Sequence, residues 1–385
     1  MTTAAETATA LDVQGLLDAA RVKTGLSDYG DEWFVEPLTV LTKALADEAK
    51  LSEMGLALTK SRFIASLADR LRLKQLQVEN PEILEEEVTV AAEICGLPRT
   101  GSTLLHRLLA SSPEVTSTLS WETSYPLPFP GESPAAEIRT KRARDRYEMF
   151  LEMAPDFGDI HTIEWDGPEE DVILMDRTFT SMSFDSFYWI PTYGLWLREF
   201  DQAPAYQDLK QWLQVLQWQS PERHGQPWML KSPHHLTAVD TVLDTFPGCK
   251  IIMTHRSPTK AVPSYASMVC AISAQYSNDV DPKDVGPYWR DRFVSALTQF
   301  SDVRAKRPER FIDVDFLEVV KNPVDTATRV MGELGLPADR EALEAYMARN
   351  EEQRHGSHTY TAEDFGLTEA GLEQDFAFYQ KEIAP

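Results

Sequence analysis

The chain has 385 residues, 43% of them hydrophobic, with three cysteines and a formal net charge of −24 at pH 7. That length and apolar content suffice for a full core in one large domain or two smaller ones, and no apolar run approaches the length of a membrane span. So large an acidic excess excludes nonspecific binding to nucleic acid, whose phosphates would be repelled over most of the surface.

Residues 11–78 carry apolar side chains at helical spacing, as in Leu56, Phe63, Ile64, Leu67 and Leu71, without a strand pattern or a phosphate motif. They predict a helical N-terminal extension over residues 1–80. Pro81 and the acidic run Glu85–Glu87 mark its boundary with an α/β domain over 81–385. Met1–Ala10 is small and polar, unlike a secretory signal. Cys95, Cys249 and Cys270 are odd in number, and the first two adjoin apolar runs, which favours reduced thiols and a cytoplasmic protein.

Val88–Cys95 is rich in β-branched residues and leads into Gly96-Leu97-Pro98-Arg99-Thr100-Gly101-Ser102-Thr103. Leu104, Leu105, Leu108 and Leu109 then recur at helical spacing, so strand, turn and helix follow one another. Gly96 and Gly101 stand at the glycine positions of the G-x-x-x-x-G-K-[ST] phosphate loop, but Ser102 occupies the lysine position and Thr103 the hydroxyl position. The loop N–H groups and the helix N-terminus favour an anion, and Arg99 adds a forked, permanently charged donor. A nucleoside triphosphate fits less well, because the lysine that reaches its β and γ phosphates is missing.

Pro126, Pro128, Pro130 and Gly131 mark a loop in which Trp121, Glu122 and Tyr125 are candidates for a substrate channel, against the alternative of a plain surface loop. His161 precedes the acidic run Glu169-Glu170-Asp171, which reads either as a base with its partners or as the acidic start of a helix. From Phe179 to Phe200 lie Phe184, Phe187, Tyr188, Trp189, Tyr193 and Trp196. Aromatic residues at that density form either core or a pocket for a flat, apolar ligand.

Two further strand ends carry cations. Trp228-Met229-Leu230-Lys231 ends in Ser232-Pro233-His234-His235, with Pro233 opening a helix. Lys250–Thr254 ends in His255-Arg256-Ser257-Pro258, and Ser264 lies about two turns into the following helix, beyond a Pro263 that is expected to distort it. Open α/β sheets bind ligands at such carboxyl ends, so Arg99, Lys231 and Arg256 are expected to meet one anionic ligand.

These three segments, in this order, resemble the sulfotransferases that use 3′-phosphoadenosine 5′-phosphosulfate (PAPS), in particular the bacterial branch with a Pro-Arg-[Ser/Thr]-Gly-[Ser/Thr]-Thr loop. The resemblance covers about residues 85–370. It implies an α/β fold with a P-loop-like parallel sheet flanked by helices, and PAPS as co-substrate. Arg99, Thr100, Gly101, Ser102 and Thr103 would hold the 5′-phosphosulfate, and Arg256 and Ser264 the 3′-phosphate. Lys231 resembles the lysine that many members place shortly before a catalytic histidine. In the better-known cytosolic members that histidine follows the lysine by two residues, where this chain has Pro233. His235 is the first choice of base, since imidazole has the pKa best suited to deprotonating a hydroxyl, with His234, His161 and Glu170 as alternatives.

The segment Arg354–Tyr360 resembles the C-terminal basic segment that closes over the 3′-phosphate in related enzymes. Zinc is the competing reading of His355 and His358, and two histidines without further ligands carry it poorly. The resemblance implies in-line transfer of a sulfuryl group to a hydroxyl, or less readily an amine, of a small acceptor, with Arg99, Lys231 and a base as catalytic groups and no metal. If the aromatic stretch forms a pocket, the acceptor is a hydrophobic alcohol or phenol. A kinase-like phosphotransferase and a non-catalytic nucleotide-binding protein are the alternative readings. The first would want a Walker lysine and an acidic Mg²⁺ ligand.

Overall fold

The computed structural model describes residues 1–129, 131–132, 136–153, 164–277, 279–351 and 360–383. Its centre is one parallel sheet of four strands, β1 (Val90–Gly96), β2 (Trp228–Lys231), β3 (Lys250–His255) and β4 (Phe311–Asp315), in the order β2-β1-β3-β4. Helices cover both faces, so strand residues are buried whichever way they point. That is why β1, β2 and β3 read as near-continuous apolar runs. Cys95, Leu230, Ile251 and Met253 face one layer, with Trp212, Val262, Trp289 and Phe293. Ala92, Ile94, Met229, Ile252 and Val314 face the other, with Leu105, Leu108, Val330 and Met331.

The edge strand β4 is the element that the sequence reading lacks. Its five residues Phe-Ile-Asp-Val-Asp alternate between buried and exposed, and the two aspartates on its open side hide the pattern in so short a run.

The registers align the strand ends that carry the cations. Gly96 pairs with Thr254 across β1 and β3, and Ile94 pairs with Lys231 across β1 and β2. Because β1 lies between β2 and β3, the connections diverge there and leave a crevice at the carboxyl ends. Gly96 is required at this point. Its φ is 138°, and a Cβ would sit 2.6 Å from the Thr254 carbonyl oxygen.

The N-terminal helices Ala4–Ala10, Val13–Thr24, Val35–Glu48 and Glu53–Glu79 build a second core around Leu16, Leu38, Phe63 and Leu67. The last of them ends at Glu79, next to Pro81. Their apolar faces close on Phe179, Phe184, Tyr188 and Tyr193, all at most 2% exposed. The Phe63 ring meets Phe179 and Phe184 edge-on at 5.5 and 5.9 Å. Most of the aromatic stretch is therefore core between the N-terminal helices and the rest of the chain. The pocket reading of these rings, and the acceptor chemistry drawn from it, lose that support.

Candidate active site

The Leu97–Gly101 turn leaves β1 and feeds a helix over Ser102–Leu109. It contains a non-glycine residue, Arg99, at φ 67°, and Gly101 at φ 81°. A left-handed arginine costs conformational energy, and side-chain bonds hold it there. The Arg256 guanidinium donates to the Arg99 carbonyl at 2.7 Å, while Thr100 Oγ1 donates to Leu97 O at 2.7 Å and meets Thr254 Oγ1 at 2.6 Å. Phe316, the first residue after β4, packs under the turn. Its ring lies 4.3 Å from the Arg256 guanidinium and would be 3.2 Å from a Cβ at Gly101. Neither Phe316 nor Thr254 was singled out in the sequence, for each is an ordinary residue at a strand end.

Arg99 Nε donates to Ser264 Oγ at 3.3 Å. Two of the proposed donor-binding groups thus meet directly. The Pro258–Ser273 helix continues through Pro263 and delivers Ser264 to the turn. The expected distortion does not displace it. Burial, with Arg256 close by, holds the Arg99 pKa below the usual arginine range, and Tyr360 acts in the opposite direction. Tyr360 belongs to the C-terminal segment expected near the donor. Arg354, His355 and His358 lie outside the described residues.

Lys231 closes β2 at 3% exposure. Its Nζ donates to Thr103 Oγ1 at 3.1 Å and forms an ion pair with Glu170. Ser232 Oγ donates to the other Glu170 oxygen at 3.2 Å. Beneath them Ser232 N donates to Glu93 Oε1 at 3.0 Å. Burial first, then Asp171, raises the Glu93 pKa well above the carboxylate range. Glu93 is not among the candidates legible from motifs, although one acid in an apolar, two-faced strand is a signal in itself.

The histidines separate. His235 is completely buried, with Tyr206 OH at 2.7 Å from Nδ1 and Asp171 carboxylate oxygens at 3.0 and 3.1 Å from Nε2. Glu93 Oε1 is 3.5 Å from the same nitrogen. Both ring nitrogens are engaged by protein groups. His234 is equally buried and accepts from Met182 N at 3.2 Å, while burial and His235 push its pKa far down. His161 lies outside the described residues. The acidic run that reads as a helix start behaves otherwise. Glu170 faces Lys231, and Asp171, though at the start of the Val172–Met175 helix, makes no capping bond and reaches His235.

His106, in the loop helix, also supports β2. Its Nε2 lies 2.7 Å from Ser117 Oγ and 3.2 Å from the Met229 carbonyl, and burial, aided by Lys231, lowers its pKa to about 3. A histidine neutral in the fold but protonated when unfolded gives stability above its unfolded pKa of about 6.5, and that stability is lost as pH falls toward the folded value. His106→Gln is expected to lack this loss. Between about pH 6.5 and pH 5, wild-type protein should lose roughly 1–2 kcal/mol more than the variant in urea unfolding, and parallel pH profiles would refute the assignment.

A cleft of ≈ 1180 Å³ opens between the Glu53–Glu79 helix and the Glu137–Met153 helix. Glu169 lines it, and its neighbour in sequence, Glu170, bonds Lys231 of the crevice. Tyr125 lines it too. Its two fellow candidates do not: Glu122 is buried in an ion pair with Arg223 at 2.8 Å, and the Trp121 ring carries Arg139 at 5.1 Å. Burial and Glu170 raise the Glu169 pKa. Glu93, Asp171 and His235 are the one cluster among the described residues whose geometry suits a metal, and they already bond to one another and to Tyr206.

A family model described as the sulfotransferase family matches residues 93–340. The solved sulfotransferase STF1 from Mycobacterium tuberculosis H37Rv superposes with a TM-score of 0.83 at 26% identity, covering 95% of this chain and 98% of its own. Sulfotransferase STF9 from Mycobacterium avium superposes with a TM-score of 0.86 at 24% identity, covering 96% of each chain. No curated protein sequence matches the chain. Among the described residues no helix is long and apolar enough to cross a membrane.

Proposed function

Because the chain belongs to the sulfotransferase family, we propose that it transfers the sulfuryl group of PAPS to the hydroxyl of a small acceptor held in the cleft. The observation that carries this reading is the position of Lys231, whose Nζ touches Thr103 of the phosphate-type loop and Glu170, the neighbour of the cleft-lining Glu169. One cation thereby joins the donor side to the acceptor side.

The donor's 5′-phosphosulfate would lie against the Thr100–Thr103 N–H groups and Arg99, and its 3′-phosphate against Arg256 and Ser264. Glu170 is a better base than His235, since its side chain is partly exposed while His235 is fully buried with both nitrogens engaged. The acceptor oxygen attacks sulfur, the bond from sulfur to the bridging oxygen breaks, and adenosine 3′,5′-bisphosphate leaves. Glu170 takes the hydroxyl proton, and Lys231 exchanges Glu170 for the bridging oxygen as charge grows there.

Arg99→Ala and Arg256→Ala are each expected to weaken binding of adenosine 3′,5′-bisphosphate by about 10- to 100-fold, the value of one charge-assisted hydrogen bond. Titration calorimetry beside a melting curve tests this, with Arg256→Lys separating charge from the flat contact on Phe316. Unchanged affinity in both alanine variants, with both folded, would remove the donor site from this crevice.

A further inference from the structure

We propose that the acceptor is amphipathic, with an apolar body in the cleft and an anionic group, remote from the reacting hydroxyl, held by Arg142 and Arg146. This rests on the sulfuryl-transfer reading of the site and adds the class of acceptor.

The cleft wall is apolar along Leu58, Ala65, Ile173, Phe187, Ile272 and Tyr276. Its charges are unevenly matched. Asp176 binds Arg62 at 2.5 Å, and Asp69 binds Arg177 at 3.0 Å and Arg72 at 3.5 Å. Glu79 accepts from Gln75 at 2.7 Å, and burial, then Glu170, raises the Glu169 pKa. Two of the cleft's acids, Asp69 and Asp176, are thus committed to arginines.

Arg142 and Arg146 line the same cleft, are exposed, and have no ion pair among the described residues. They stand one turn apart on the Glu137–Met153 helix. On that helix Lys141 pairs with Asp145 at 2.6 Å and Arg144 with Glu148 at 2.9 Å, which leaves Arg142 and Arg146 as the uncommitted cations on the cleft side. The Arg142 guanidinium lies 4.0 Å from the centre of the Phe129 ring, and Arg72 approaches that ring at 5.3 Å. Phe129 in turn meets Tyr125 at 5.9 Å, on the cleft wall. In a chain of net charge −24, two arginines without an ion pair among the described residues, one of them over the Phe129 ring, form an anion receptor in the wall of an apolar cleft. A carboxylate, sulfate or phosphate on the acceptor would satisfy them, and a neutral acceptor would leave them to water.

The test pairs hydroxyaryl and ω-hydroxyalkyl carboxylic acids of increasing length with their methyl esters. Each is measured for binding without donor by calorimetry, and for turnover with saturating PAPS. The best-fitting acid is expected to bind about 10- to 100-fold more tightly than its ester, and to show a KM lower by a similar factor. In the double variant Arg142→Gln, Arg146→Gln this ratio should fall toward one, and added salt should reduce it in the wild type. Acids that never outbind their esters, or a ratio the double variant leaves intact, would overturn the proposal. Failure of the sulfuryl-transfer reading looks different: acids would bind with preference while no adenosine 3′,5′-bisphosphate is released from any pair.

Discussion

Glu170→Gln is expected to lower turnover by about 10²–10⁴-fold, the range general-base catalysis covers, while binding of adenosine 3′,5′-bisphosphate stays close to wild type. The substitution keeps the shape of the side chain and one oxygen, which can still accept from Lys231, while the amide nitrogen takes the place of the oxygen that accepts from Ser232. What it removes is the negative charge and with it the capacity to take a proton.

His235→Ala supplies the contrast. Removing a fully buried imidazole leaves Tyr206 and Asp171 without their partner and a cavity beside Glu93, so the damage should appear as a lowered melting temperature, by a mechanism that typically costs about 3–5 kcal/mol. A folded His235→Ala protein without activity, beside an active Glu170→Gln protein, would return the base to the histidine.

The donor side of this site is legible in the sequence because it is built from strand ends. Arg99, Lys231 and Arg256 each follow a short apolar run and precede a helical pattern, and a parallel sheet brings such ends together whatever lies between them. The acceptor side is less legible for the same reason. The run from Phe179 to Phe200 has the composition of either a pocket or a core, and the choice depends on the N-terminal helices more than 100 residues away, whose Phe63 packs edge-on against both Phe179 and Phe184.

The proposed base is the least legible part of the site. Local pKa favours histidine, whereas burial decides accessibility, and nothing near residue 235 announces that Tyr206 and Asp171 will occupy both ring nitrogens. Glu170 resembles a helix-start acid until β2 places Lys231 against it.

Lys231→Ala is expected to reduce kcat by about 10²–10³-fold, the cost of deleting one donor aimed at developing charge, with a smaller effect on affinity for adenosine 3′,5′-bisphosphate. The ammonium is 3% exposed and held by Thr103 and Glu170, so it is already largely withdrawn from water, and little reorganisation separates its resting position from the loop. Its contribution grows with charge on the bridging oxygen, which is why the loss should fall mainly on kcat rather than on KM for the donor. Lys231→Arg should not restore activity, because a wide guanidinium fork cannot replace a compact ammonium between Thr103 and Glu170. Alanine here also leaves Glu170 without its cation, so part of the loss could come through a displaced base. Single-turnover rates of the Lys231→Ala and Glu170→Gln variants and of the double variant separate the two contributions. Independent roles would make the losses multiply, whereas a lysine that serves only to position Glu170 would make the double variant no slower than Glu170→Gln alone. Turnover by Lys231→Ala within a few-fold of wild type would remove the lysine from the reaction and reduce its ion pair to a structural contact.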